Sequence, residues 1–168
     1  MADFAYFPGC SLNGLGKPYD ESLRAVFAHL GLALHEIPDW NCCGATSYMS
    51  VNEESAVALA TRNLALAEQM NLEVVAPCSA CYLVLNKAQH VLLEYPKVAA
   101  KVHKGLAAIG LTYHGHASVR HPLDVLMNDL GADAIKARVT HPLSGYRVAS
   151  YYGCQIIRPY GAFDDPLR

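Results

Sequence analysis

Two adjacent thiols, in the run Asn41-Cys42-Cys43-Gly44, with further cysteines spaced on both sides, are what most constrains this chain. Packing does not ask for such a pair. Upstream stands Cys10, in Phe7-Pro8-Gly9-Cys10-Ser11, and downstream stand Cys78 and Cys81, in Pro77-Cys78-Ser79-Ala80-Cys81. Thirty-one residues separate Cys10 from Cys42, and thirty-four separate Cys43 from Cys78. Each of these places follows a short run of β-like residues that a proline ends: 4–7 before Pro8, 33–37 before Pro38, and 73–76 before Pro77. Proline cannot continue a central strand, so the cysteines fall in the loops that leave three strands. Such loops are where α/β proteins gather ligands, and the five sulfurs are therefore expected at one site.

The segments between the strands read as helices. Leu23, Val26, Phe27 and Leu30 recur at helical spacing over 19–30, with Gly31 as the stop. Asn52, followed by Glu53 and Glu54, caps a long helix to about residue 70. Helical periodicity returns over 79–94 and 96–109, a strand is expected at 117–120, a helix at 121–131 and a last strand at 147–152. The expected fold is α/β, a mainly parallel sheet flanked by helices. Gly14-Leu15-Gly16-Lys17 fits neither a phosphate loop nor a dinucleotide fingerprint and reads as a turn.

The chain has 168 residues, a one-domain length, and its net charge of −2 lacks the basic excess that a nucleic-acid partner demands. No run of eighteen apolar residues marks a membrane span, and Met1-Ala2-Asp3-Phe4 does not begin an export signal, so the expected location is the cytoplasm. Thiols there stay reduced, and six cysteines point to metal or redox chemistry rather than to disulfides. Cys78 and Cys81 lie where a strand passes into a helix, and the free amides of the helix start favour thiolates. Three chemistries use such a set. Structural zinc takes four thiolates and leaves one over; a dithiol pair would employ only Cys78 and Cys81; an iron–sulfur cluster takes thiolates as its usual ligands. His114, His116 and His121 sit in no zinc motif with a cysteine and read as solvated or packed side chains. Trp40, just ahead of the cysteine pair, is expected near the sulfurs.

The order of the cysteines, their spacing, the Pro8-Gly9-Cys10 opening and the Asp39-Trp40-Asn41 run together resemble the cysteine-rich CCG domain of the B-type subunit of heterodisulfide reductases and of related iron–sulfur redox proteins. The likeness covers roughly residues 3–95. It implies a noncubane 4Fe-4S cluster held by Cys10, Cys42, Cys43, Cys78 and Cys81, zinc remaining the alternative for a structural or interaction module. It implies an oxidoreductase acting on sulfur, which forms or reductively cleaves the disulfide of two thiol coenzymes. The partners implied are a ferredoxin-like iron–sulfur subunit and a flavin-containing subunit. Family members usually repeat the unit, and Ser150-Tyr151-Tyr152-Gly153-Cys154 echoes Ala5-Tyr6-Phe7-Pro8-Gly9-Cys10. Residues 1–142 are thus expected to form a first unit and 143–168 the start of a second, with Cys154 as its possible first ligand. Because the family's chemistry uses two facing clusters, this chain alone is expected to be catalytically incomplete.

Overall fold

The computed structural model describes residues 2–45, 47–151 and 153–157. Four strands, β1 (Ala2–Tyr6), β2 (Leu32–Glu36), β3 (Val74–Val75) and β4 (Val119–Arg120), form one all-parallel sheet in the order β2-β1-β3-β4. Parallel neighbours need crossover connections, and helices supply them. After β1 come α1 (Gly9–Leu12) and α2 (Lys17–His29); after β2, α3 (Ser47–Val51) and α4 (Glu53–Gln69); after β3, α5 (Ser79–Glu94) and α6 (Pro96–Ala108). A short α7 (Pro122–Asp124), a π-helical turn at Val125–Leu130 and α8 (Ala132–Arg138) follow β4.

Both faces of the sheet are covered at its centre, and residues 4–7, the second half of β1 and the residue after it, show why that run is apolar without alternation. Phe4 and Tyr6 enter a core with Leu23 and Phe27 of α2, whereas Ala5 and Phe7 enter the larger core made with α4, α5 and α6. Successive side chains of a strand point to opposite faces, so the doubly covered part of this strand, from Phe4 on, is buried at every residue. α4 begins as its sequence demands, with the Asn52 side chain accepting from Ser55 N at 3.0 Å. In the order 2-1-3-4 the chain leaves β1 towards one edge and later crosses to the other side of it. The connections therefore switch direction between β1 and β3, and the carboxyl ends of those strands are where such a sheet takes its ligands.

Two expectations need correction. A regular helix over 121–131 is instead a short α-turn followed by a wide π-turn. Arg120 explains the widening: it donates to Asp124 at 2.7 Å and grips Asp129 with two further bonds of 2.7 and 2.8 Å. Asp124 and Asp129 are five residues apart, the spacing that a π-turn brings to one face. The last strand, over 147–152, does not form in 147–151, where every residue is exposed and none pairs with the sheet; Tyr152 lies outside the described residues. β character without a partner leaves main-chain groups to water. α3 and α8 have no counterpart in the sequence pattern. No helix of the described residues is long and apolar enough to cross a membrane.

Candidate metal centre

The first loop leaves β1 after Phe7, whose amide still donates to Val75 O at 3.0 Å. Gly9 then turns with φ +70°, and α1 presents Cys10 and Ser11. Glycine is required here for two reasons. A side chain resists that φ, and a β-carbon on Gly9 would lie 2.7 Å from Cys81 Sγ. Cys10 is exposed, with its sulfur 3.9 Å from that of Cys42.

The second loop leaves β2 through Pro38 and Asp39, the latter at φ +53°. Trp40 packs edge-on against Phe7, ring centres 5.5 Å apart, and its indole N–H donates to Glu36. The tryptophan thus packs against the residue from which the first loop departs. Beyond it the main chain is held from α4. Asn63 accepts from Asn41 N at 2.9 Å and donates to Asn41 O at 2.8 Å. Arg62 donates to the carbonyl of Asp39 at 2.6 Å and to the Asn41 side chain at 2.9 Å, and also pairs with the Asp39 carboxylate. Asn41 in turn donates to Cys42 O at 2.8 Å. The adjacent cysteines then part: Cys42 is exposed and Cys43 is buried. Gly44 holds φ +79°, and a β-carbon there would meet Ala56 and Leu59 of α4.

The third loop is the shortest. Pro77 ends β3, Cys78 stands at the N-cap of α5, and Cys81 lies in its first turn. Cys43 and Cys81 are 3.3 Å apart, sulfur to sulfur. Competition for protons divides this group. Cys78 is pulled down to about 5, first by its hydrogen bond with Cys81, then by Ser11 and the facing amides of Cys81 and Ala80, against the effect of burial. Those amides act as oriented dipoles, since no capping hydrogen bond of regular geometry forms. Cys43 is lowered by its bond with Cys81, and Cys81 is raised by its bonds with Cys43 and Cys78 together with burial. Cys10 is raised by desolvation and by Cys42.

All five cysteines named from sequence therefore meet above the carboxyl ends of β2, β1 and β3. Cys10 pairs with Cys42; Cys81 touches both Cys43 and Cys78. Cys154 is not joined to them by any of these bonds and is exposed in a turn in which Ile157 N donates to its carbonyl. Among the described residues no group of three or more His, Cys, Asp or Glu side chains has the arrangement of a single-ion site. His114 and His116 bind Glu68 instead, through two backbone amides and the His114 ring. His121 is buried, its Nδ1 capping Leu123 N at 3.2 Å. A groove of about 480 Å³, lined by Tyr48, Leu59, Arg62, Val102, Leu106 and Ile109 among others, lies between α4 and α6 and contains none of the sulfurs.

Sequence reasoning finds the sulfurs and misses their supports. Asn63 and Arg62 act across more than twenty positions, which no local spacing betrays; the one signal is a polar Asn63 between Ala60 and Leu64 on the buried face of α4. Ser11, next to Cys10, serves Cys78 rather than its neighbour.

Residues 4–86 match the CCG family of cysteine-rich domains. The chain is 38% identical over 157 residues to the 8-methylmenaquinol:fumarate reductase membrane anchor subunit of Wolinella succinogenes, covering 94% of this chain and 54% of that protein. It is 34% identical over 166 residues to a protein of Archaeoglobus profundus that is like the B-type subunit of heterodisulfide reductase, covering 98% and 56%. With the B-type subunit of the ferredoxin/F(420)H(2)-dependent CoB-CoM heterodisulfide reductase of Methanosarcina acetivorans, identity is 31% over 160 residues, covering 95% and 53%. The chain thus spans about half the length of the curated relatives it matches. A hypothetical protein from Helicobacter pylori shares the fold, with a TM-score of 0.66 at 17% identity over 74% of this chain and 25% of that one.

Proposed function

We propose, for a chain that belongs to the CCG cysteine-rich family and is related along its length to the B-type subunit of heterodisulfide reductases, that it is an iron–sulfur redox protein. Cys10, Cys42, Cys43, Cys78 and Cys81 would hold a 4Fe-4S cluster of the noncubane kind. The observation that carries the reading is the meeting of these five thiols at three neighbouring strand ends, in two contacting groups rather than around one point. Four thiolates satisfy a cubane or a tetrahedral zinc, so five donors in this spread favour a larger body that several of them bridge.

When bound, the cluster would supply the electrons for splitting a disulfide between two thiol coenzymes. The chain's own residues supply placement and access. Cys43 and Cys81 lie in the core, Cys78 is held as a thiolate at neutral pH, and Cys10 and Cys42 form the exposed side from which a small disulfide can approach. The partners in this reading are a ferredoxin-like subunit and a flavin-containing subunit, and the compartment is the cytoplasm. Residues 1–142 form the first CCG unit, while 143–168, of which 152 and 158–168 lie outside the described residues, begin a second with Cys154 as its first sulfur.

The test is anaerobic reconstitution followed by iron, acid-labile sulfide and zinc analysis. About four irons and four sulfides per chain are expected. They should fall to background in Cys78→Ala or Cys81→Ala. Stoichiometric zinc without sulfide would replace this reading by that of a structural or interaction module.

A further inference from the structure

Asn63 stands in the middle of α4, 1% exposed, between residues that belong to the apolar core. Asparagine is a poor helix former, and a buried amide is costly unless both its ends are bonded. Neither end serves the helix. The oxygen accepts from Asn41 N and the nitrogen donates to Asn41 O, at 2.9 and 2.8 Å, so the side chain meets the main chain of Asn41 as a second strand would. The donor and acceptor on Asn41 leave the amide one orientation. Asn41 immediately precedes Cys42 and, by its own side chain, holds Cys42 O. Thr61 offers a contrast on the same helix: also fully buried, it donates within the helix, to Val57 O one turn back.

From this we infer that Asn63 is a positioning residue for the thiol pair. It fixes the peptide before Cys42, so that Cys42 faces outward beside Cys10 while Cys43 turns inward to Cys81. This deepens the metal-centre reading and rests on it for its functional meaning, although the geometric consequence holds in the metal-free chain. Without that pairing the loop keeps Arg62 as a tether on Asp39 and Asn41, yet the main chain at Asn41 gains freedom. The separation of an outward from an inward thiol is then what fails.

The experiment labels the metal-free, fully reduced protein with N-ethylmaleimide and follows each cysteine by mass spectrometry, in wild type, Asn63→Leu, Asn63→Asp and Thr61→Val. Circular dichroism confirms that each variant is folded. In Asn63→Leu the rate at Cys43 should rise about tenfold or more, as a local opening equilibrium shifts. Asn63→Asp keeps the acceptor but loses the donor and should fall between, and Thr61→Val should label as wild type does. Should Asn63→Leu fail to fold, Asn63→Asp decides alone, unchanged Cys43 protection overturning the inference. Equal protection in folded Asn63→Leu, or equal exposure of Cys43 in Thr61→Val, overturns it as well. Reconstitution of the same variants adds a spectroscopic readout, a displaced visible spectrum in Asn63→Asp being expected. If wild type itself binds no iron, the cluster reading fails while the labelling result still decides the role of Asn63.

Discussion

Gly9 and Cys81 stand in contact across two loops, so close that a β-carbon on the glycine would come within 2.7 Å of the cysteine sulfur. Gly9 also holds φ +70°, a region that costs an L-residue about 1–2 kcal/mol. Gly9→Ala should therefore combine backbone strain with overpacking and destabilise the fold by about 2–4 kcal/mol. Urea denaturation measures the loss, and iron content after reconstitution should fall with it because Cys81 is displaced. A stability within about 0.5 kcal/mol of wild type would show that this contact relaxes at little cost.

Cys78 gives a prediction that needs no metal. Its folded pKa is lowered to about 5, so the sulfur is a thiolate from there upward, whereas an ordinary cysteine ionises near pH 8.5. Iodoacetamide should alkylate Cys78 of the metal-free protein with a rate that rises through about pH 5 and is flat by neutrality. Ser11→Ala removes one of the supporting hydrogen bonds and should move that midpoint upward. A Cys78 rate still climbing between pH 8 and 9 would mean that its neighbours do not stabilise the thiolate.

The three cysteine loops were legible because each follows an apolar run that proline ends, a local signal needing no knowledge of the fold. The parallel sheet followed from the alternation of such runs with helical stripes. What escaped was long-range or partner-dependent. Asn63 reads as one polar residue in a helix until Asn41 is placed against it. The run around Val148 has β character, yet a strand exists only where a neighbour accepts its amides, and there Val148 and Tyr151 are 73% and 98% exposed. The turn at Val125–Leu130 widened because one arginine reaches two aspartates, which periodicity alone cannot show.

His121 sets an acid limit on stability. It is buried beneath the Tyr82 ring, with ring centres 5.7 Å apart, and desolvation lowers its pKa below the ordinary 6.5, against a hydrogen bond to Pro77 O and the charge of Asp124. The unfolded chain then takes a proton that the folded chain refuses. The stability due to neutral His121 is thus fully present above about pH 6.5 and is lost as pH falls through the window beneath it, at no more than about 1.4 kcal/mol per pH unit. Cys78, lowered to about 5, adds the same sign across this window in the metal-free protein, so His121 is read from the share that its replacement removes. Glu68 and Asp124, also lowered, add it only further down, below the ordinary carboxylate values of 4.5 and 3.8. Urea midpoints at about pH 7.5 and 5.5 should differ in wild type, and the difference should shrink in His121→Asn, whose shorter side chain can still cap Leu123 N. Equal pH dependence in both would show that His121 adds nothing to the acid sensitivity that Cys78 already supplies.

The segment after the π-turn is held differently from everything before it. α8 has no buried residue, and residues 139–151 are exposed throughout. Among the described residues a long-range bond ties the end of α8 to the body, Arg138 Nη1 to His29 O at 3.3 Å, and beyond it Ile156 is the next of them to be buried, 5% exposed. Local opening is easiest where few apolar contacts must break, and proteases cut where the chain opens. Trypsin at low ratio should therefore cleave first after Lys136, Arg138 and Arg147. Arg120, whose guanidinium is bound by Asp124, Asp129 and Glu73, should be spared, as should Arg62, fixed to the cysteine loop. The body ending near residue 138 contains all five converging cysteines, so the nicked protein should retain its iron when digested after anaerobic reconstitution. Early cleavage at Arg62 or Arg120, or loss of iron in step with the cut at Arg147, would show that the C-terminal segment is part of the structure that holds the sulfurs together.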